Sequence, residues 1–175
     1  MPPIVHGFDW PDRIVVGTIG LPGSRSFYLQ VQAGTHIVSV GLEKEQAALL
    51  AEKIDEILNQ LMATAGNAAS VPVGTPPELI DNNPLEQPVK PEFVAGGISL
   101  GWDPSTTQIV IEAYPMIDTT NEDEIEPPEL LQVRIPVGTA RAFVTRTRGV
   151  VSAGRPRCPH CGEPMEPDGH ACLFA

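Results

Sequence analysis

The chain has 175 residues, 42% of them apolar, and a formal net charge of −11. That length suits one domain, or one domain with a small appendage, and it can bury a core that needs no metal to hold it together. The composition excludes collagen, coiled coil and a wholly disordered chain. No apolar run approaches the roughly 20 residues of a membrane helix, and no secretory leader is visible, so a cytoplasmic protein with no membrane partner is expected.

In chain order, Ile14–Ile19 is β-branched and reads as a strand, and Leu21–Ser24 reads as a turn. Ser26–Gln32 alternates, placing Phe27, Leu29 and Val31 on one face and Tyr28 and Gln30 on the other. Ala33-Gly34 turns the chain into a third strand, Thr35–Leu42. Over Glu43–Met62 the period becomes helical, with Leu50, Ile54, Ile57, Leu58 and Leu61 on one stripe that Ala47 and Ala51 extend. Residues 64–91 hold six prolines and read as a linker dividing two units, with at most one helical turn at Pro77–Ile80.

The pattern then restarts. Phe93–Leu100 is a strand weakened by Gly96-Gly97, Asp103–Thr106 a turn and Gln108–Tyr114 an alternating strand. Asp118–Glu129 is an acidic solvated loop, and Leu130–Ile135 a strand. Thr139 is the expected cap of a helix running to about Val151, whose stripe carries Ala140, Phe143, Val144, Thr147 and Val150. Each half therefore reads strand, strand, strand, helix, by a duplicated plan or by coincidence of pattern. The expected fold is α+β, with antiparallel sheet built from two β3α units. Residues 1–154 form the domain (halves 1–63 and 92–154), and 155–175 a small tail.

The tail segment CPHCGEPMEPDGHAC contains all three cysteines. The spacing Cys-x2-Cys-x8-His-x-Cys offers Cys158, Cys161, His170 and Cys172 as ligands, with His160 and Asp168 as rival fourth ligands. Three thiolates and an imidazole suit Zn²⁺, and four protein ligands leave no position for water, which makes the site structural. A disulfide fits poorly with an odd count and a reducing compartment. A redox pair fits poorly because Cys158-Cys161 follows no strand in a βαβ setting.

Charge is uneven. Residues 1–129 carry five basic and nineteen acidic side chains, whereas 130–162 carry six arginines and no Asp or Glu. The arginines either pair with the acidic stretch Asp118–Glu129 or present a partner surface of Arg141, Arg146, Arg148, Arg155 and Arg157. His6 and His36 are weak acid–base candidates. Asp9, Asp12 and Asp103 suit local turn hydrogen bonds, and Trp10 and Trp102 suit anchors onto the core. No phosphate loop or nucleophile elbow is present, so no catalytic residue is assigned.

The segments GFDWPDRIVVGTIGLPGSRSFYLQ, VSVGLEKEQAALLAEKIDEIL, ISLGWDPSTTQIVIEA and GRPRCPHCGEPMEPDGHACLFA together resemble the bacterial domain of unknown function 3090, found chiefly in actinobacteria. The resemblance spans essentially the whole chain. It implies the same Cys158, Cys161, His170, Cys172 ligand set, a cytoplasmic bacterial protein, and genes for a phosphatase-like and a kinase-like protein nearby. It implies no activity. Two functions are weighed. One is a zinc-containing binding or adaptor module that docks a protein or anionic partner through the arginine helix and the zinc knob. The other is a phosphate-processing enzyme or accessory subunit. Nucleic acid is disfavoured as a partner by the net charge and by the scarcity of stacking rings near the arginines, where Phe174 stands alone.

Overall fold

The structure is a computed structural model, and it describes residues 4–20, 24–63, 71–116, 129–153, 160, 161 and 172. Seven strands, β1 (Ile4–Asp9), β2 (Arg13–Ile19), β3 (Ser26–Ala33), β4 (His36–Leu42), β5 (Pro91–Asp103), β6 (Gln108–Pro115) and β7 (Glu129–Pro136), form one sheet in the order β1-β7-β6-β5-β4-β3-β2. Two long helices, α1 (Lys44–Ala63) and α2 (Val137–Ser152), complete an α+β fold. The sheet is mixed rather than antiparallel. Strands β2–β4 and β5–β7 are antiparallel meanders, but β4 runs parallel to β5 and β1 parallel to β7.

The two edge strands, β1 and β2, are joined by only Trp10-Pro11-Asp12. Laid flat, seven strands about 4.8 Å apart would separate their edges by about 29 Å. The four steps from Asp9 to Arg13 reach at most about 14 Å. The sheet must therefore roll until its edges approach. Ring stacking of Phe8 on β1 with His36 on β4, 5.0 Å between centroids, is a contact across the rolled sheet. The second corner lies on the long β5, where the register shifts between Ala95 and Gly97. A Cβ at Gly96 would stand 2.7 Å from the Met116 main chain, so only glycine fits this bend.

One apolar core fills the fold. The faces expected on β3 and β6 supply Phe27, Leu29, Val31, Ile109, Ile111 and Ala113. The α1 stripe buries Ala47, Leu50, Ala51, Ile54 and Leu58 as its spacing requires. Gln46 accepts from the Glu43 N–H at 2.8 Å and donates to the Ala95 carbonyl at 3.0 Å, tying the start of α1 to the β5 corner. The second helix packs chiefly on α1 and β2. It begins at Val137 with Pro136 before it, so Thr139 lies inside the first turn and is not its cap. Strand β1 is absent from the sequence reading, which leaves His6 ahead of the first strand.

Residues 71–90, read as the linker between the halves, form a strap packed against both β2–β3 and α2. A single 3₁₀ turn at Pro77–Leu79 sits within this strap. Val71 and Leu85 are buried, and Gln30 exchanges hydrogen bonds with the main chain of Glu86 at 2.8 and 3.1 Å. Gln30, on the face of β3 opposite Phe27, Leu29 and Val31, is 2% exposed because the strap covers that face.

Candidate functional site

The strap is held at Asp81. Arg13, the first residue of β2, donates from Nε and Nη2 to the two Asp81 carboxylate oxygens at 2.6 and 3.2 Å. Its Nη2 also donates to the carbonyls of Asn83 and Pro84. From α2, Arg146 donates through Nε to the Val16 carbonyl at 3.0 Å and through Nη1 to the Asp81 carbonyl at 2.8 Å. The Arg13 hydrogen bonds hold the Asp81 carboxyl below its ordinary pKa, helped by the Asn83 N–H and by both guanidinium charges, against some desolvation. Burial lowers the Arg146 pKa, with the Arg13 charge adding to the shift and Asp81 opposing it. Arg146 stands between two clefts. One, of about 430 Å³, is lined by Gly17, Asp81, Leu85 and Thr145 among others. The other, of about 320 Å³, is lined by Trp10, Arg13 and Phe143 among others.

The expected arginine face is divided. Arg141 is 6% exposed and turns toward α1, donating to Asp55 at 2.7 Å and to the Pro72 carbonyl at 3.0 Å. The physical reason is helical phase. Arg141 adjoins the core stripe through Ala140 and Val144, so its side chain must be neutralised within the fold rather than offered to a partner. Arg146 is engaged as described. Arg148 stays exposed, 3.2 Å from the second oxygen of Asp55. Among the described residues, the partners found are Asp55 and Asp81. Residues 117–128, which hold most of the acidic stretch, lie outside the described residues, as do Arg155 and Arg157. Among the described residues Glu129 meets no arginine, and its Oε1 lies 2.8 Å from the imidazole Nε2 of His6.

Of the tail residues expected to be ligands, Cys161 and Cys172 are described and half-buried, and the rival His160 is exposed. Cys158, His170 and Asp168 lie outside the described residues. The donor chemistry fits zinc, since three thiolates and one neutral imidazole make a four-coordinate soft site. In such a site Cys158, Cys161, His170 and Cys172 would hold the ion.

A family model described as "Protein of unknown function (DUF3090)" matches residues 6–172. The chain belongs to this family. The match runs from His6 on β1 to Cys172, so it takes in both meanders, the strap and Cys158, Cys161, His170 and Cys172 of the tail. No curated protein and no solved structure matches the chain.

The remaining candidates on this DUF3090 chain are placed as follows. Trp102 packs against the core as an anchor, whereas Trp10, with φ of 59°, is 66% exposed and is not one. Asp103 accepts from the Ser105 N–H, the local role expected of a turn aspartate, whereas Asp9 accepts from Gln108 and Asp12 from the Gly34 N–H, partners distant in the chain. Hydrogen bonding from the Ser105 hydroxyl and then from Arg134 holds Asp103 far below the usual carboxylate range. Sequence reasoning did not single out Asp55 or Asp81. Each meets its arginines only through contacts 65–93 residues apart in the chain, and such pairing leaves no local signal. Among the described residues no helix is long and apolar enough to cross a membrane.

Proposed function

We propose that this chain is a zinc-containing binding module, in which a rolled α+β scaffold carries a C-terminal zinc knuckle as its docking element. The observation that supports this most is the extent of the core. The apolar cluster draws on residues from Phe8 to Val151, and the metal-ligand pattern begins only at Cys158. A tail too polar to fold alone gains order from the metal. Zinc here is structural and gives the tail a fixed shape for a protein partner to read.

We also read β2–β4–α1 and β5–β7–α2 as two copies of one plan. The parallel β4–β5 joint supports this, because it sets the two meanders side by side in the same sense. On that reading the strap and the zinc tail occupy equivalent places, each following its unit's helix. The strap folds back over its own sheet, and the tail is the copy turned to recognition. Three metal-binding thiolates require a reducing compartment, which supports the cytoplasm. The alternative of a phosphate-processing enzyme has less support, because Arg13, Arg141 and Arg146 already have carboxylate partners within the fold.

The test is affinity capture from the native host with intact and Cys158→Ser baits. A protein retained by the intact chain and lost by the variant is expected. Identical capture by both baits would remove the docking role from the tail.

A further inference from the structure

We propose that His6, Glu92 and Glu129 form a second metal site, for a hard or borderline divalent transition ion such as Mn²⁺ or Zn²⁺, independent of the thiolate tail. One ligand atom from each of these residues lies within 4.8 Å of the other two. Ligands about 2.0–2.2 Å from a shared ion stand about 3.0–3.6 Å from one another. The His6–Glu129 separation of 2.8 Å and the 4.8 Å bound bracket that range. Closing the set needs a shift of about 1 Å, which Glu92 can supply because it is exposed.

The three residues come from three strands, β1, β5 and β7, which the fold fixes relative to one another. His6 shares a face of β1 with buried Phe8, and Glu129 shares a face of β7 with buried Leu131, Val133 and Ile135. The imidazole and this carboxylate therefore end rows that point into the core. Their side chains are 17% and 24% exposed, so both are partly shielded from water. Two carboxylates so close repel each other unless a positive charge joins them. His6 contacts Glu129, and Glu92 makes no ion pair or hydrogen bond among the described residues. One imidazole nitrogen with two carboxylates suits Mn²⁺, Fe²⁺ or Zn²⁺, whereas the tail's thiolates select a softer site. Three protein ligands also leave coordination positions open to water, as four do not.

The test uses the full chain with its tail loaded with zinc, followed by Mn²⁺ titration. Electron paramagnetic resonance reports free Mn²⁺, and amide NMR signals report where the bound ion sits. One saturable ion per chain is expected, with broadening centred on Val5–Gly7, Glu92–Phe93 and Leu130. Glu92→Gln and His6→Gln should each weaken binding by at least about tenfold, the lower range for disturbing a metal's supporting contacts. Cys158→Ser should leave it unchanged. Equal affinity in wild type and Glu92→Gln overturns the proposal, as does the absence of saturable uptake. Broadening centred on Asp118–Glu126 overturns it too. If His6→Gln fails to fold, the exposed Glu92→Gln decides.

Discussion

Arg146 donates from one nitrogen, Nη1, to both the main-chain carbonyl and the carboxylate of Asp81, at 2.8 and 3.5 Å. Through this contact the last helix grips the strap that leads from the first half of the fold to the second. Asp81 also lies between the guanidinium groups of Arg13 and Arg146, so it screens two like charges from each other. Asp81→Ala should therefore cost about 2–3 kcal/mol, the scale of lost hydrogen bonds to charged groups. Urea unfolding measures the loss. A change under about 0.5 kcal/mol, the range of ordinary surface substitutions, would show that the strap is held elsewhere.

The same carboxylate gives a pH dependence of known sign. Its pKa in the folded chain lies below the ordinary 3.8. The native state therefore binds fewer protons than the unfolded state near that pH, and stability rises with pH there. The contribution is complete above about pH 5 and is lost as pH falls through 3.8 and below. The stability gap between wild type and Asp81→Asn should shrink across this range. A gap that stays constant from pH 6 to pH 3 (roughly the span set by the carboxylate values) would contradict the assignment.

Gly17 on β2 leaves room for the Leu85 side chain of the strap, since a Cβ there would stand 2.5 Å from Leu85 Cγ. Gly17→Ala should lift Leu85 off the sheet and cost about 1–3 kcal/mol, the range for an overpacked core. Pairing it with Leu85→Ala makes the cause visible. In the double variant the penalty of the glycine substitution should be much smaller than alone, and strict additivity would refute the contact.

These relationships mark what the sequence could and could not disclose. Periodicity located α1 and the apolar faces of β3 and β6, because burial on one face imposes a period that survives in a single chain. It could not locate β1. Only Phe8 of that six-residue strand is buried, and its one neighbouring strand lies more than 120 residues on. The burial of Gln30 could not be read either, because nothing local announces the strap that covers it. The arginines of α2 looked like an outer face because their partners, Asp55 and Asp81, belong to other elements. The Cys-x2-Cys-x8-His-x-Cys spacing of the tail can be read from contiguous residues, and zinc on it is the proposal made above. The His6–Glu92–Glu129 cluster cannot be read so, because the rolled sheet alone brings it together.

Thr147 on α2 is fully buried, and its hydroxyl has no hydrogen-bond partner among the described residues. An unpaired buried hydroxyl is a net cost. Thr147→Val keeps the shape and removes the polar atom, so it should raise stability by about 1 kcal/mol in thermal or urea unfolding. A loss of similar size would mean that the hydroxyl is satisfied in solution.

The account rests on zinc being held by the tail. Zinc content per chain, measured after exhaustive dialysis of wild type and Cys158→Ser side by side against metal-free buffer, tests this most directly. Wild type should retain about one equivalent more than the variant, as expected of a tight four-ligand site that has lost a thiolate. Equal zinc in both proteins, or less than about a tenth of an equivalent in wild type, would contradict it.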